Sequence, residues 1–128
     1  MRSGKRSSAP ITAFRAYAAG GERGSSTYAI VASQTDSGVQ LIDVSDPSSL
    51  VAVDAVTDGD RGFTTLNGAK DVATFVVGGS TYAIVASRND DGVQLIDVSD
   101  PSNPVAVGSA TDGANGFTKL AGAYGVAT

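Results

Sequence analysis

The chain has 128 residues with no cysteine and no histidine, and its formal charge of −4 comes from nine basic and thirteen acidic residues. These counts exclude disulfides, thiolate metal sites, a cysteine nucleophile and a histidine general base within the chain. From Gly24 onward there are four basic residues and twelve Asp. Such an acidic body argues against nucleic acid as a partner.

The N-terminal segment differs from the rest of the chain. Residues 1–10 combine basic side chains with Ser, Gly and Pro, which predicts a disordered basic tail. Residues 1–19 lack the apolar core of a signal peptide. No apolar stretch approaches the roughly 18 residues that span a bilayer, so we expect no membrane insertion.

Short strand-like runs follow, and the clearest set lies at residues 71–77, 81–87, 93–99 and 104–111. These runs are rich in Val, Ile, Thr and Ala, and Gly, Asp, Asn, Ser or Pro separate them. Gly78-Gly79 predicts a tight hairpin, because glycine accepts the positive φ of primed turns. No window has the 3.6-residue spacing of an amphipathic helix.

The runs belong to an internal repeat with a period of 54 residues. Residues 26–33 recur at 80–87, and Gly38–Ser48 recurs unchanged at Gly92–Ser102; about 35 of 49 aligned positions are identical. Four strands per roughly 50 residues, some apolar on both faces, are typical of propeller blades. We predict an all-β fold of tandem four-stranded antiparallel β-propeller blades. A duplicated β-sandwich and a β-solenoid are the alternatives.

The repeat also divides the chain. Blade 1 and its connecting loop are expected at 11–68, blade 2 and its loop at 69–122, and the first strand of an incomplete third blade at 123–128. The sequence is therefore expected to be a fragment of a longer repeat protein. Two blades leave open sheet faces and unpaired edges, which predicts self-association or packing against further blades.

A family resemblance rests on the run from Val93 to Gly108, which contains Ile96-Asp-Val-Ser-Asp-Pro101. This run resembles the LVIVD repeat family, relatives of the WD-repeat propellers. Residues 39–53 match less fully, because Leu50 stands where the second copy has Pro104. The resemblance covers roughly residues 26–128. It implies a propeller in bacterial or archaeal proteins, often secreted or surface-exposed, and it offers no catalytic residues.

Repeated Asp residues are predicted to be structural. Asp43 and Asp97 stand in apolar strands, where a carboxylate needs hydrogen bonds, and we expect each to accept backbone amides at a blade corner. A catalytic acid is the alternative, but recurrence in both copies favours architecture. Asp46-Pro47 and Asp100-Pro101 are turn formers.

Oxygen-rich loops raise the question of calcium, which takes six to eight oxygen ligands. The candidate ligands are Asp58, Asp60, Asp112 and Asn115. The second copy has Ala114 in place of Asp60, and no Glu follows, so solvated loop carboxylates are the default interpretation. No other cofactor is expected.

Recognition is predicted on the loops 58–68 and 112–122, where Arg61, Thr65 and Lys119 differ between copies. We predict a non-catalytic scaffold that binds a protein or glycan within a larger surface or secreted protein. Two alternatives stay open. One is a calcium-stabilised adhesion module; the other is a fragment of a propeller enzyme whose active site lies in missing blades.

Overall fold

The computed structural model describes residues 13–21 and 24–128, which form two four-stranded antiparallel sheets without a helix. Blade 1 comprises β1 (Ala13–Gly21), β2 (Gly24–Ser33), β3 (Gly38–Asp43) and β4 (Val51–Thr57). Blade 2 comprises β5 (Ala69–Val77), β6 (Ser80–Ser87), β7 (Gly92–Asp97) and β8 (Val105–Thr111). In each sheet the strands neighbour one another in chain order. The predicted pair of four-stranded blades is confirmed, while the predicted basic tail lies outside the described residues.

Turn chemistry sets the strand ends. Gly78 and Gly79, with φ of 58° and 83°, connect β5 to β6. The β2–β3 and β6–β7 turns place Ser37 and Asp91 at φ 52°, a region that small polar residues tolerate better than branched ones. The pairings of β3 with β4 and of β7 with β8 shift register at the same point, between Leu41 and Ile42 and between Leu95 and Ile96.

A glycine opens the third strand of each blade for a steric reason. A Cβ at Gly38 would collide with the carbonyl oxygen of Val56, and one at Gly92 would collide with that of Ala110. The third and fourth strands therefore approach at a distance that only glycine permits.

The core lies between the two blades. Ile30, Leu41 and Val56 of blade 1 share one buried cluster with Val85 and Ile96 of blade 2. Full burial of such a side chain contributes about 1.5–3 kcal/mol. The two sheets therefore stabilise each other face to face, as stacked blades do.

Polar contacts also cross this junction. The Tyr17 hydroxyl on β1 donates a hydrogen bond to the Val98 carbonyl, just after β7, at 3.1 Å. Burial raises the pKa of Tyr17 well above its ordinary value. The Arg15 guanidinium lies 3.9 Å from the Asp71 carboxylate of β5. Side chains of β1 thus reach both the first strand of blade 2 and the residue that follows its third strand.

Residues 123–128, predicted as the first strand of a third blade, have no strand pairing. A strand needs a neighbour for its backbone ladder, and the described residues supply none on this side. The segment is held against β5 instead: the Val126 amide donates to Asp71 Oδ2 at 3.1 Å, and the Thr128 hydroxyl donates to the Thr74 carbonyl at 2.7 Å. The Lys70 ammonium lies 4.9 Å from the centre of the Tyr124 ring.

Candidate functional site

The two edges of the blades differ in how much the repeats vary. The turns 34–37 and 88–91 and the loops 58–68 and 112–122 lie at one edge, which we call the variable edge. Of the 49 − 35 = 14 aligned positions that differ, seven fall there: Gln34/Arg88, Thr35/Asn89, Ser37/Asp91, Asp60/Ala114, Arg61/Asn115, Thr65/Lys119 and Asn67/Ala121. The loops at the opposite edge, 44–50 and 98–104, differ at two of seven aligned positions, against seven of fifteen at the variable edge.

At the opposite edge, Asp43 and Asp97 hold the blade corners. Asp43 Oδ1 accepts the Ser45 amide at 2.9 Å, and Asp97 Oδ1 accepts the Ser99 amide at 2.9 Å. The backbone amide of Ser45, with help from its side chain, holds the pKa of Asp43 below its usual value. Both carboxylates fix the start of the loop that follows their strand.

The Asp-Pro-Ser turns at this edge are closed in the same way. Asp46 Oδ1 accepts the Ser48 hydroxyl at 2.7 Å and its amide at 3.0 Å, which together lower the pKa of Asp46. Asp100 accepts the Ser102 hydroxyl at 2.7 Å and its amide at 3.1 Å. Pro47 is exposed, whereas its counterpart Pro101 is buried.

The four candidate calcium ligands separate into two kinds. Asp58 Oδ1 accepts the Leu66 amide at 2.8 Å, and Asp112 Oδ1 accepts the Leu120 amide at 2.8 Å, so each folds its loop back on itself. Asp60 instead lies 3.6 Å from Arg61 Nε, and Asn115 is exposed at φ 51°. Within residues 13–21 and 24–128, no three acidic side chains gather as a metal-binding group.

Two of the three predicted binding residues lie exposed on the variable edge. Arg61 adopts φ 46°, and its guanidinium lies 3.3 Å from Asp54 Oδ2. Lys119 is exposed at the corresponding edge of blade 2. Thr65 is different, because only 2% of its surface is exposed and its amide donates to Gln94 Oε1 at 3.0 Å. Thr65 therefore packs between the blades, and its predicted role in binding an external ligand stays a prediction.

The residues around Thr65 form a junction that sequence reasoning missed. Gln94 is 1% exposed; its Oε1 also accepts the Thr64 amide at 3.2 Å, and its Nε2 donates to the Gly108 carbonyl at 3.0 Å. The Ser87 hydroxyl donates to the Thr65 carbonyl at 2.6 Å. Residues 62–68, which we call the junction loop, follow the last strand of blade 1. The hydrogen bonds just described nevertheless join them to blade 2.

Two apolar side chains anchor the junction loop. Phe63 and Leu66 are fully buried in the cluster shared by both blades. Their sequence signal was two apolar residues within a glycine-bounded loop, repeated as Phe117 and Leu120. Large apolar side chains are usually buried, so their presence in a loop indicates that the loop packs against another part of the protein.

An acidic group completes the junction. Asp90 Oδ2 accepts the Asn67 amide of the junction loop at 2.9 Å. Burial and the neighbouring Asp58 carboxylate raise the pKa of Asp90, although the Asn67 amide acts in the opposite direction.

Two clefts lie on the outer faces of this pair of blades. A cleft of about 280 Å³ on blade 1 is lined by Ser33, Asp36, Gln40 and neighbouring residues of β4. A second, of about 270 Å³ on blade 2, is lined mainly by apolar residues, among them Leu95 and Phe117. The described part of the chain contains no helix long and apolar enough to cross a membrane.

Comparison with known proteins adds a family match. The family model of the LVIVD repeat matches residues 25–58 and 69–112, which cover most of blade 1 and all of blade 2. Together these segments make up more than half of the chain. No curated protein matches it.

Proposed function

Because this chain belongs to the LVIVD repeat family, we propose that it is a non-catalytic scaffold that binds a protein or glycan through its variable edge. The observation that carries this proposal is the distribution of differences between the two copies. One edge repeats the same Asp-Pro-Ser turns, while the other presents different exposed side chains on the same backbone. Variable loops on a constant framework are where recognition is usually placed. The larger protein would be secreted or surface-exposed.

The roles of the repeated carboxylates support a non-catalytic interpretation. Asp43, Asp46 and Asp58 each accept a backbone amide, and so do their counterparts in blade 2. A carboxylate that accepts backbone amides of its own loop stabilises that loop, which is a structural role.

The chemistry of the variable edge suits a polar ligand. Exposed Arg61, Arg88 and Lys119 are interspersed with exposed Asp36 and Asp60. A surface of both charge signs offers directed hydrogen bonds to a partner with its own donors and acceptors.

The test exchanges residues between the copies, so that each variant carries a side chain that the other blade already accommodates. We expect the chain to bind a subset of a glycan or peptide array, and Arg88→Gln with Asn115→Arg to weaken that binding at least tenfold. Asn103→Ser makes the same kind of exchange at the opposite edge and should retain binding. Absence of any saturable ligand, or equal loss in both variants, would contradict the proposal.

Calcium provides a separate test. We expect added calcium to leave Tm unchanged, because Asp58 and Asp112 are engaged by the amides of their own loops. A rise in Tm that EDTA reverses, and that Asp58→Ala with Asp112→Ala abolishes, would favour the calcium-stabilised adhesion module instead.

A further inference from the structure

The cleft on blade 1 has an occupied counterpart on blade 2. Its polar lining, Ser33, Asp36 and Gln40, corresponds to Ser87, Asp90 and Gln94 one repeat later. On blade 2 these three side chains bind the junction loop through the Thr65 carbonyl, the Asn67 amide and the Thr64 and Thr65 amides. We call the corresponding surface of blade 1 the blade-1 socket.

Exposure differs between the two surfaces as expected for an open and a filled socket. Gln94 and Ser87 are at most 1% exposed, whereas Gln40 and Ser33 are half-buried. The change extends to the fourth strand. Ala52 on β4 is exposed, but its counterpart Ala106 packs against the shared core.

Gln40 is already oriented for the same task. Its Nε2 donates to the Asp54 carbonyl at 3.0 Å, as Gln94 Nε2 donates to the Gly108 carbonyl at 3.0 Å. This bond fixes the amide plane, so the oxygen that takes two backbone amides on blade 2 has an equivalent on blade 1.

A second copy of the junction loop exists in the same chain, at residues 116–122. It shares Gly, Phe, Thr, Leu and Gly with residues 62–68 at corresponding positions. Phe117 is 46% exposed, whereas Phe63 is fully buried. We call residues 116–122 the second junction loop.

The second junction loop already has the conformation of the first. Asp112 holds the Leu120 amide at 2.8 Å, as Asp58 holds the Leu66 amide at 2.8 Å. Gly122 has φ 66°, close to the 73° of Gly68, but a Cβ on Gly122 would meet open space where one on Gly68 would meet Asn89. Binding would therefore cost little ordering of the loop.

The chain's own N-terminal residues do not supply this loop sequence. In the repeat frame, residues 4–10 correspond to the junction loop, and they read Gly-Lys-Arg-Ser-Ser-Ala-Pro. They lack both apolar anchors. Within the given sequence, residues 116–122 carry the apolar anchors that match the blade-1 socket.

We propose that the blade-1 socket binds the second junction loop of another copy of this chain, head to tail. The Thr118 and Lys119 amides donate to Gln40 Oε1, the Ser33 hydroxyl donates to the Lys119 carbonyl, and Asp36 accepts the Ala121 amide. Each copy contributes one loop and one socket, so the contact is heterologous and closes a ring where the rotation permits. The interface shares Asp36 and Lys119 with the ligand surface proposed above, whereas Arg88 and Asn115, the residues exchanged in the ligand test, lie outside the contacts named here.

Two differences between the loops weaken the fit. Lys119 stands at the position of buried Thr65, and Ala121 stands at that of Asn67. An ammonium group must be kept in solvent or desolvated on binding. Replacing Lys119 and Ala121 with the residues of the first junction loop should therefore strengthen association between copies.

The experiment measures the mass of the full chain by sedimentation velocity over a range of concentrations. We expect a discrete oligomer for the native chain, and Lys119→Thr with Ala121→Asn to reach it at a concentration about tenfold lower. Ala52→Lys, on the exposed surface of the socket, should leave a folded monomer. Val51→Lys is the matched control, because its counterpart Val105 stays 48% exposed beside blade 1.

Mixing two variants keeps the test independent of folding defects. Ala52→Lys retains the loop, and Phe117→Ser retains the socket, so an equimolar mixture should form a 1:1 dimer that neither variant forms alone. A monomer for both the native chain and the double loop variant would overturn the proposal. So would equal effects of Ala52→Lys and Val51→Lys. Array binding by a folded monomer would leave the proposed ligand function standing.

Discussion

Gln94 places a polar side chain on the buried face of blade 2, and its oxygen accepts two backbone amides of the junction loop. Gln40 has the same bonds within its own blade, but no junction loop lies against it among residues 13–21 and 24–128. Comparing variants of the two residues therefore separates two contributions to the free energy of unfolding: that of the bonds within a blade and that of the bonds to the junction loop.

We expect Gln94→Ala to lower the free energy of unfolding by about 1–3 kcal/mol more than Gln40→Ala does, because it leaves the buried Thr65 amide and the partly buried Thr64 amide without this acceptor. The measurement is urea denaturation at a concentration low enough to keep the chain monomeric. Equal losses for the two variants would show that the amides find water instead.

Asp90 makes stability depend on pH in the opposite sense to most carboxylates. Its pKa is raised by burial and by Asp58, so between the ordinary and the raised pKa the folded chain binds more protons than the unfolded chain. The free energy of unfolding contributed by Asp90 therefore falls as the pH rises through that window.

Asp90→Asn removes the charge and keeps an acceptor for the Asn67 amide. We expect it to raise the free energy of unfolding at pH 7 and to have little effect near pH 3, where Asp90 is protonated in both states. In an Asp58→Asn background the gain at pH 7 should shrink, because one cause of the raised pKa is gone. A gain that is the same at both pH values would contradict this account. Asp43 and Asp46, whose pKa values are lowered, contribute stability that is lost as the pH falls.

At the scale of elements, the close approach of β7 and β8 depends on the glycine that begins β7. Gly92→Ala places a methyl group against the Ala110 carbonyl, and we expect a loss of about 2–3 kcal/mol, typical of steric changes in a packed core. Gly108→Ala on β8 is the control, because a Cβ there meets nothing within 4 Å. It should change stability by less than about 0.5 kcal/mol. Thermal unfolding of both variants checks the difference.

The strands and the loops differ in how far local sequence determines them. The strand runs and their Gly, Asp and Pro boundaries reflect local chemistry, and two four-stranded blades followed from them. The burial of Thr65 did not, because it depends on Gln94, 29 residues away. The clue was the pair Phe63 and Leu66, whose apolar character only makes sense against a neighbouring blade.

At the scale of the whole molecule, contacts between the two blades determine how cooperatively the blades unfold. Tyr17 provides one polar link, since its hydroxyl donates to the Val98 carbonyl of blade 2. Tyr17→Phe removes that hydroxyl and keeps the ring, and the Val98 carbonyl loses this donor.

We expect Tyr17→Phe to cost about 1 kcal/mol and to reduce hydrogen-exchange protection in both blades. Tyr28→Phe removes the same atom from the neighbouring ring, whose centre lies 5.9 Å away. That control should leave blade 2 unchanged. Loss of protection confined to blade 1 would mean that the blades open separately.

The identical segments Gly38–Ser48 and Gly92–Ser102 create an ambiguity while the chain is folding. β2 finds the same partner sequence in β7 as in β3, and closing the longer loop costs only about 2 kcal/mol more in chain entropy. In refolding of the full chain from denaturant, we therefore expect the pairing of β2 with β7 to compete with the native hairpin of β2 and β3. Synthesis on the ribosome removes the competition, because blade 1 emerges and pairs before the second copy of the segment exists. The order in which the repeats leave the ribosome thus adds to the preference of about 2 kcal/mol that the shorter loop already gives the native pairing.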